Sequence, residues 1–345
     1  MRAAAWDPLA ELPADPVVAA LPKADLHVHA EADGRLDRVL AAREGVAPRD
    51  WAPFARRLME LPPGMPRLRA LGQGEQRCRP VDGVDLLDAR PELFVARVAD
   101  LLQEAAADGA LLVEPMFGSA TILYPDFVAL FREAERSVQA RHQRFRAEPL
   151  IALYPHRGPD ELLAACVRAA RDGLAGVNLL PIPYDEEADP APMRAWAARA
   201  AEAGLGVAAH AGEFTTANLV STLRLPVLRR VGHAVHAADD PRLLDELAAT
   251  GATVECCPTC NVVLGAVRSY EEHPIRRLVE RGVPVTLATD NPLRCHTTIG
   301  REYAVAARLG FSAAELRGFT LNAARASFTT DARRRDLLAE LGSPP

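Results

Sequence analysis

Short apolar stretches alternate with longer amphipathic stretches along most of the chain. The short stretches are nearly uniform in apolar character, which is typical of strands that are buried on both faces of a parallel sheet. They occupy residues 24–29, 110–117, 149–154, 173–180, 206–211, 230–235, 252–257 and 283–289. The pattern therefore predicts eight strands.

The stretches between these strands are rich in Ala and Leu and repeat with helical periodicity. Most of them end in Gly just before the next strand, which is a common helix stop. Strand and helix repeated eight times predict an α/β fold of the (β/α)8 TIM barrel type rather than an open sheet. The Gly-rich segment 204–206 precedes a strand instead of opening a helix, so it does not form a dinucleotide-binding loop.

One connection is much longer than the others. It follows the first strand, on the face where barrel active sites lie, and includes the Pro-rich segment 51–68. We expect a single barrel domain over 1–345, with a long helical insertion after the first strand and residues 46–95 as a candidate lid. Its larger apolar side chains either wall a pocket or pack in a small core of the insertion itself; they are Phe54, Leu58, Met59 and Met65.

Composition narrows the class of protein. Of 345 residues, 49% are hydrophobic and 25% charged, and the net charge of −6 gives no electrostatic reason to expect nucleic acid or an anionic membrane as partner. No apolar run reaches the length of a membrane span, and the N-terminus lacks a signal-peptide core. We expect a cytoplasmic enzyme with a small-molecule substrate, and its oligomeric state stays open.

The six cysteines are too few and too uneven for a disulfide framework, so we expect reduced thiols. Cys257 and Cys260 form a C-x-x-C pair, but no second pair follows at the spacing of a structural zinc site.

Residues that bind metal ions collect at predicted strand ends. In a strand, His27 and His29 point to the same side, and the C-terminal ends of all barrel strands meet at one mouth. Three imidazoles and one carboxylate suit catalytic zinc, although iron or manganese use similar ligands. We predict a site with one Zn2+ held by His27, His29, His210 and Asp290. Glu213 and His233, also at strand ends, are then free for proton transfer.

Six motifs in this order resemble the adenosine deaminase family of the amidohydrolase superfamily. They are L-P-K-A-D-L-H-V-H, A-A-H-A-G-E, R-V-G-H-A-V-H, V-E-C-C-P-T-C-N-V-V-L-G-A, L-A-T-D-N-P and L-N-A-A-R-A-S-F. The resemblance runs from Leu21 to about Phe328. It implies a zinc-dependent (β/α)8 barrel that removes the amino group of an aminopurine by hydrolysis.

The resemblance also implies roles. Zinc makes hydroxide available near neutral pH, His233 takes the proton and orients the attack on the amine-bearing ring carbon, and Asp290 holds the hydroxide. Glu213 protonates the neighbouring ring nitrogen, and ammonia leaves. A carboxyl that donates a proton at pH 7 needs a raised pKa, which a closed apolar pocket provides.

The candidate substrate-binding residues depart from the family pattern. Pro181 stands near the place of a glycine that contacts the base, and proline has no N–H to donate. Asn291 stands where the family commonly has a second Asp, and an amide can donate a hydrogen bond without being a proton source. The acid that touches a ribose hydroxyl matches either Glu31 by spacing or Asp33 through its following Gly.

Three hypotheses about function result. The first is deamination of adenosine or a close adenine derivative. The second is the same zinc chemistry on a modified nucleoside, an N6-substituted adenine, a non-purine cyclic amidine or an amide, as the changes at Pro181 and Asn291 suggest. The third is a non-catalytic binding protein, which the complete set of metal and proton-transfer residues disfavours.

Overall fold

The computed structural model describes residues 6–30, 35–45, 47–48, 50–78, 90–124 and 126–342. Its strands are β1 Lys23–His29, β2 Ala110–Phe117, β3 Arg146–Ala147, β4 Leu150–Leu153, β5 Gly176–Leu179, β6 Gly206–Ala211, β7 Arg230–His233, β8 Thr253–Cys256 and β9 Val285–Leu287. Its α-helices are α1 Pro16–Ala20, α2 Leu36–Glu44, α3 Ala52–Glu60, α4 Met65–Cys78, α5 Pro91–Ala107, α6 Phe127–Gln139, α7 Asp160–Ala169, α8 Pro190–Glu202, α9 Leu219–Leu223, α10 Pro241–Thr250, α11 Pro258–Leu264, α12 Ile275–Glu280, α13 Ile299–Arg308, α14 Ala313–Ala326 and α15 Asp331–Gly342.

The strands form a parallel sheet that closes into a barrel. Their order is β1-β2-β4-β5-β6-β7-β8-β9, and the two-residue strand β3 pairs with β2 just before β4. The barrel closes where Val28 bridges to Asp290, beside a 2.8 Å hydrogen bond from the His29 N–H to the Asp290 carbonyl. The predicted (β/α)8 fold is confirmed, with each predicted strand present within a few residues of its expected bounds.

A buried ionic cluster fills the barrel interior below the mouth. The Arg230 guanidinium is fully buried and donates to Glu114 at 2.6 Å and to Glu255 at 2.5 Å. The same guanidinium lies 3.7 Å from the centroid of the Phe328 ring. This ring passes so close to Gly206 that a Cβ there would lie 2.2 Å from it, so only glycine fits. The interior is therefore closed by paired charges and one aromatic ring.

The insertion after β1 packs on the mouth of the barrel. Leu58 of α3 and Leu71 of α4 are buried in one cluster with residues of α11. The Arg67 guanidinium donates to the Val263 carbonyl at 2.8 Å, and the Gly64 N–H donates to the Leu264 carbonyl at 2.8 Å. The core of the insertion is thus shared with the barrel.

Three of the four apolar side chains in question pack in this shared core rather than in a core of the insertion alone. Phe54 and Met59 are partly buried against the same cluster as Leu58, so these side chains contribute to packing. Part of the candidate lid, 79–89, lies outside the described residues.

Within the described ranges, no helix combines the length and the apolar character needed to cross a membrane.

Candidate metal centre and active site

Four predicted ligands from three separate strand ends meet at the barrel mouth. Their ligand atoms all lie within 4.8 Å of one another; the residues are His27, His29, His210 and Asp290. Asp290 Oδ1 is 3.1 Å from His29 Nε2 and 3.6 Å from His27 Nε2. The ring centroids of His27 and His210 are 4.4 Å apart. All but His29 are buried, and His29 keeps about a quarter of its side chain exposed toward the opening.

Two of the imidazoles are oriented by hydrogen bonds at Nδ1, the ring nitrogen that faces away from the other candidate ligands. His27 Nδ1 is 2.7 Å from a carboxylate oxygen of Glu255, and His210 Nδ1 is 2.8 Å from the side-chain oxygen of Asn178. Because both acceptors hold the proton at Nδ1, the Nε2 lone pair of each ring faces the other ligands. Glu255 in turn is fixed by Arg230, so the interior ionic cluster positions a residue of the candidate metal site.

The residues present fit a divalent metal ion. His27 Nε2 is buried and has no hydrogen-bond partner among the described residues, although it faces other ligand atoms. Burial, followed by the neighbouring His27 and His233, holds the pKa of His210 well below its usual range, so His210 is a neutral imidazole. Three nitrogen donors and one carboxylate form a donor set that zinc accepts.

The backbone is strained at two of the candidate functional residues. His233 has a φ of 69° and Asp290 a φ of 60°. In each case the next residue donates its N–H to the carbonyl of the preceding residue, at 3.0 Å across His233 and 2.8 Å across Asp290. These are γ-turns with a positive central φ, which are rare and costly for residues with a Cβ. They turn each side chain into the mouth at the end of its strand.

Gly232, just before His233, allows a close approach. A Cβ at this position would lie 2.6 Å from Cε1 of His27. The V-G-H motif thus combines a glycine that makes room for one imidazole with a histidine that adds another.

Glu213 lies beside the four candidate ligands and is held by Tyr184. The Tyr184 hydroxyl donates to Glu213 Oε2 at 2.9 Å, and the same oxygen is 3.7 Å from His233 Nε2. Burial, followed by the charge of Asp290, raises the pKa of Glu213 to about 8. Burial also lowers the pKa of His233 to about 3. Near pH 7 this arrangement holds a proton on Glu213 and leaves His233 neutral.

Thiols and an amide surround the Asp290 carboxylate. The Cys260 thiol donates to Asp290 Oδ2 at 2.7 Å, and its sulfur is 3.4 Å from Cys295 Sγ. Asn291 Nδ2 donates to Asp290 Oδ1 at 2.6 Å. The described cysteines 166, 256, 257, 260 and 295 are free thiols, as expected.

Two of the four predicted substrate-binding residues, Pro181 and Asn291, lie in the described part of the chain. Pro181 is buried just after β5, at the mouth. Asn291 is also buried, but its amide donates to Asp290 and its oxygen accepts from Arg294, so both of its polar atoms contact protein. Glu31 and Asp33 lie outside the described residues.

Five residues that support the candidate site through hydrogen bonds were not identified from the sequence. They are Asn178, Tyr184, Glu255, Asn261 and His273. Asn178 and Glu255 carried one available signal, since each is a polar residue just before the last residue of a short buried strand.

Comparison with known proteins agrees with this geometry. The family model described as adenosine deaminase matches residues 132–344. An aminodeoxyfutalosine deaminase from Acidothermus cellulolyticus is 33% identical over 323 residues, which are 86% of this chain and 86% of that protein.

An adenine deaminase from Rhizobium leguminosarum bv. trifolii is 37% identical over 189 residues, or 54% of this chain and 59% of that protein. The match therefore spans about three fifths of the length of that relative. Among solved structures, an amidohydrolase from Burkholderia ambifaria with bound Zn has the same fold, with a TM-score of 0.74, 22% identity and coverage of 94% of this chain and 91% of that one.

The family model matches more than half of the chain, and one relative aligns over most of its length. The barrel also gathers His and Asp residues at its mouth. The chain therefore belongs to the adenosine deaminase family.

Proposed function

We propose that the protein is a zinc-dependent hydrolytic deaminase of adenosine or a related aminopurine. The observation that carries this proposal is the position of Glu213, a buried carboxyl that is held by Tyr184 and lies beside a cluster of three imidazoles and one carboxylate. Burial raises the pKa of this carboxyl, which suits a proton donor. A proton donor beside a metal site at the mouth of a closed barrel suits hydrolysis of a C–N bond on a nitrogen heterocycle.

His27, His29, His210 and Asp290 would hold the metal ion. When bound, the ion lowers the pKa of a water ligand and so supplies the attacking oxygen near neutral pH. The solved relative with bound Zn supports zinc as this ion. The oriented Nδ1 atoms of His27 and His210 keep the ligand nitrogens in place before the ion arrives.

Glu213 would deliver its proton to the ring nitrogen next to the amine-bearing carbon. Protonation there lets that carbon accept electron density from the attacking oxygen. The C–N bond then breaks as the amine takes the proton of the added hydroxyl and leaves as ammonia, and the carbon becomes a carbonyl. Tyr184 fixes the orientation of the carboxyl through its 2.9 Å hydrogen bond. Burial and the Glu213 charge raise the pKa of Tyr184 well above its usual range, so its hydroxyl stays a donor.

Two residues beside the candidate metal site support a second substrate class. Pro181 has no N–H to donate, and both polar atoms of Asn291 are bonded to protein. Two contacts expected for adenosine are therefore altered. A modified nucleoside, an N6-substituted adenine or a non-purine cyclic amidine fits this site as an alternative, and relatives named for adenine and for aminodeoxyfutalosine show that substrates differ within the family.

We assign the insertion 46–95 as the lid of this site. Its described helices α3 and α4 pack against α11, next to Cys260 and the Asp290 carboxylate. A lid here would exclude water from the substrate and add to the burial that keeps Glu213 protonated.

The test is ammonia release by the zinc-loaded protein on a panel of compounds. The panel holds adenosine, 2'-deoxyadenosine, adenine, N6-substituted adenines and amino-substituted non-purine heterocycles. Turnover of adenosine would support the first substrate class, and silence on adenosine with turnover elsewhere would support the second.

Glu213→Gln provides the matched control, because it removes a proton and no ligand. We expect it to lower turnover by a factor of about 100 to 10,000 with metal content near normal. Silence of the wild-type protein on every compound, or unchanged turnover in Glu213→Gln, would contradict the proposal.

A further inference from the structure

A chain of side-chain hydrogen bonds runs from His233 to the backbone of a helix behind the site. His233 Nδ1 is 3.2 Å from Asn261 Nδ2, and Asn261 Oδ1 is 3.2 Å from His273 Nε2. His273 Nδ1 is 3.3 Å from the backbone nitrogen of Ile275, the first residue of α12. The three side chains are buried, with exposed fractions of 1%, 0% and 6% for His233, Asn261 and His273.

The backbone end of this chain sets its direction. A peptide N–H only donates, so His273 Nδ1 is the acceptor and the proton of the neutral ring stays on Nε2. His273 Nε2–H then donates to the Asn261 oxygen, which leaves the Asn261 amino group as a donor. That amino group donates to His233 Nδ1, so His233 carries its proton on Nε2.

We propose that Asn261 and His273 are positioning residues that hold His233 as its Nε2–H tautomer. The Nε2–H points into the site, where Glu213 Oε2 lies at 3.7 Å, and the Asp290 carboxylate is the nearby negative charge. His233 therefore presents a hydrogen-bond donor toward the reacting atoms. Its other nitrogen is occupied by Asn261.

This tautomer changes the role expected from the sequence. A ring nitrogen that already carries a proton cannot take another one, so His233 does not act as the base at Nε2. It orients the oxygen nucleophile by donating to it, and Glu213 is left as the group that exchanges protons with the substrate. The kinetic part of this inference rests on the proposed deaminase function, whereas the tautomer itself does not.

The direct test is nuclear magnetic resonance of zinc-loaded protein with 15N in its histidine rings. The two nitrogens of a neutral ring differ strongly in shift according to which one carries the proton, and the His233 signals are assigned by their loss in His233→Asn. We expect a protonated Nε2 and a bare Nδ1. A bare Nε2 with a protonated Nδ1 would overturn the proposal, whether or not a substrate is known.

Variants at position 273 separate positioning from mere packing. His273→Leu removes the donor that orients Asn261, so we expect mixed tautomers at His233 and a kcat about 10- to 100-fold lower, with KM and zinc content near wild type. His273→Gln restores a side-chain N–H toward Asn261 and should recover the Nε2–H signal and most of the lost rate. His142→Leu, which changes a histidine bonded to Gln103 outside the mouth, is the control for loss of a histidine.

Two outcomes in these variants would overturn the proposal. One is a His273→Leu protein that keeps a pure Nε2–H signal at His233. The other is a shifted tautomer with unchanged kcat, which would show that the protonated nitrogen does not matter for the reaction.

Discussion

Arg230 offers a sharp test of the ionic cluster beneath the site. Its guanidinium pairs with Glu114 and Glu255, and all three side chains are completely buried. Replacing it with Met keeps much of the volume and removes the charge. Arg230→Met therefore leaves two carboxylates in the barrel interior without their cation.

The expected loss follows from this pairing. Removing one partner of a buried ion pair typically costs about 3–5 kcal/mol, because the remaining charge stays desolvated. Burial already raises the pKa of Glu114 despite the opposing effect of Arg230, so without the cation Glu114 protonates readily. A carboxyl whose folded pKa is raised costs stability above its unfolded pKa and not below it. We expect a deficit of about 3–5 kcal/mol at pH 7.5 that shrinks toward pH 5.

Urea unfolding followed by circular dichroism at both pH values measures this effect. The matched control is Arg224→Met, whose partner Glu246 and own side chain are exposed, so it should cost less than about 1 kcal/mol at either pH. Zinc affinity should also fall in Arg230→Met, because Glu255 holds His27. Equal losses in the two variants, or a loss in Arg230→Met that does not change with pH, would refute the reasoning.

Three further variants test other parts of the structure. Asp290→Ala should lose both bound zinc and activity, and full zinc occupancy by elemental analysis would show that the ligand assignment is wrong. Burial raises the pKa of Glu302 from 4.5 to about 7, so the stability of the wild-type protein should fall as pH rises through this interval. In urea unfolding, Glu302→Gln should lack this fall and should be more stable than wild type by about 2–3 kcal/mol at pH 8. The same pH dependence in both proteins would count against this account. Tyr184→Phe removes a hydrogen bond that lowers the pKa of Glu213, so the alkaline fall of kcat/KM should move to higher pH, and a shift to lower pH would contradict the assigned contact.

The convergence of the candidate ligands could be predicted because the C-terminal ends of all strands in a parallel barrel meet at one mouth. A residue at the C-terminal end of any strand reaches the same mouth, so H-x-H, H-A-G-E, V-G-H and T-D-N could be combined before their distances were known. His27 and Asp290 illustrate this, since they are far apart in sequence and 3.6 Å apart in the fold.

The residues behind the site could not be predicted in the same way. His273 precedes a proline between two elements, and no local pattern marks it as functional. It is buried because the fold places it between Asn261 of α11 and the start of α12, to both of which it is hydrogen-bonded. Tyr184 lies in an irregular segment after β5, where no periodicity indicates which way a side chain points. Loop conformation depends on tertiary contacts that a local pattern does not contain.

At the junction between β1 and β9, a metal ion held by the proposed ligands would cross-link early and late parts of the chain. His27 and His29 stand on one side of this junction and Asp290 on the other, and Thr289 donates to Asp25 across it at 2.5 Å. A bound ion joins both sides, so its binding free energy adds directly to the resistance of the barrel against opening there. During synthesis, the proposed ligand set is complete only after β9 and Asp290 have been made. A chain interrupted before β9 therefore contains the candidate histidine ligands but no assembled metal site. Metal retention would thus report whether the barrel has closed.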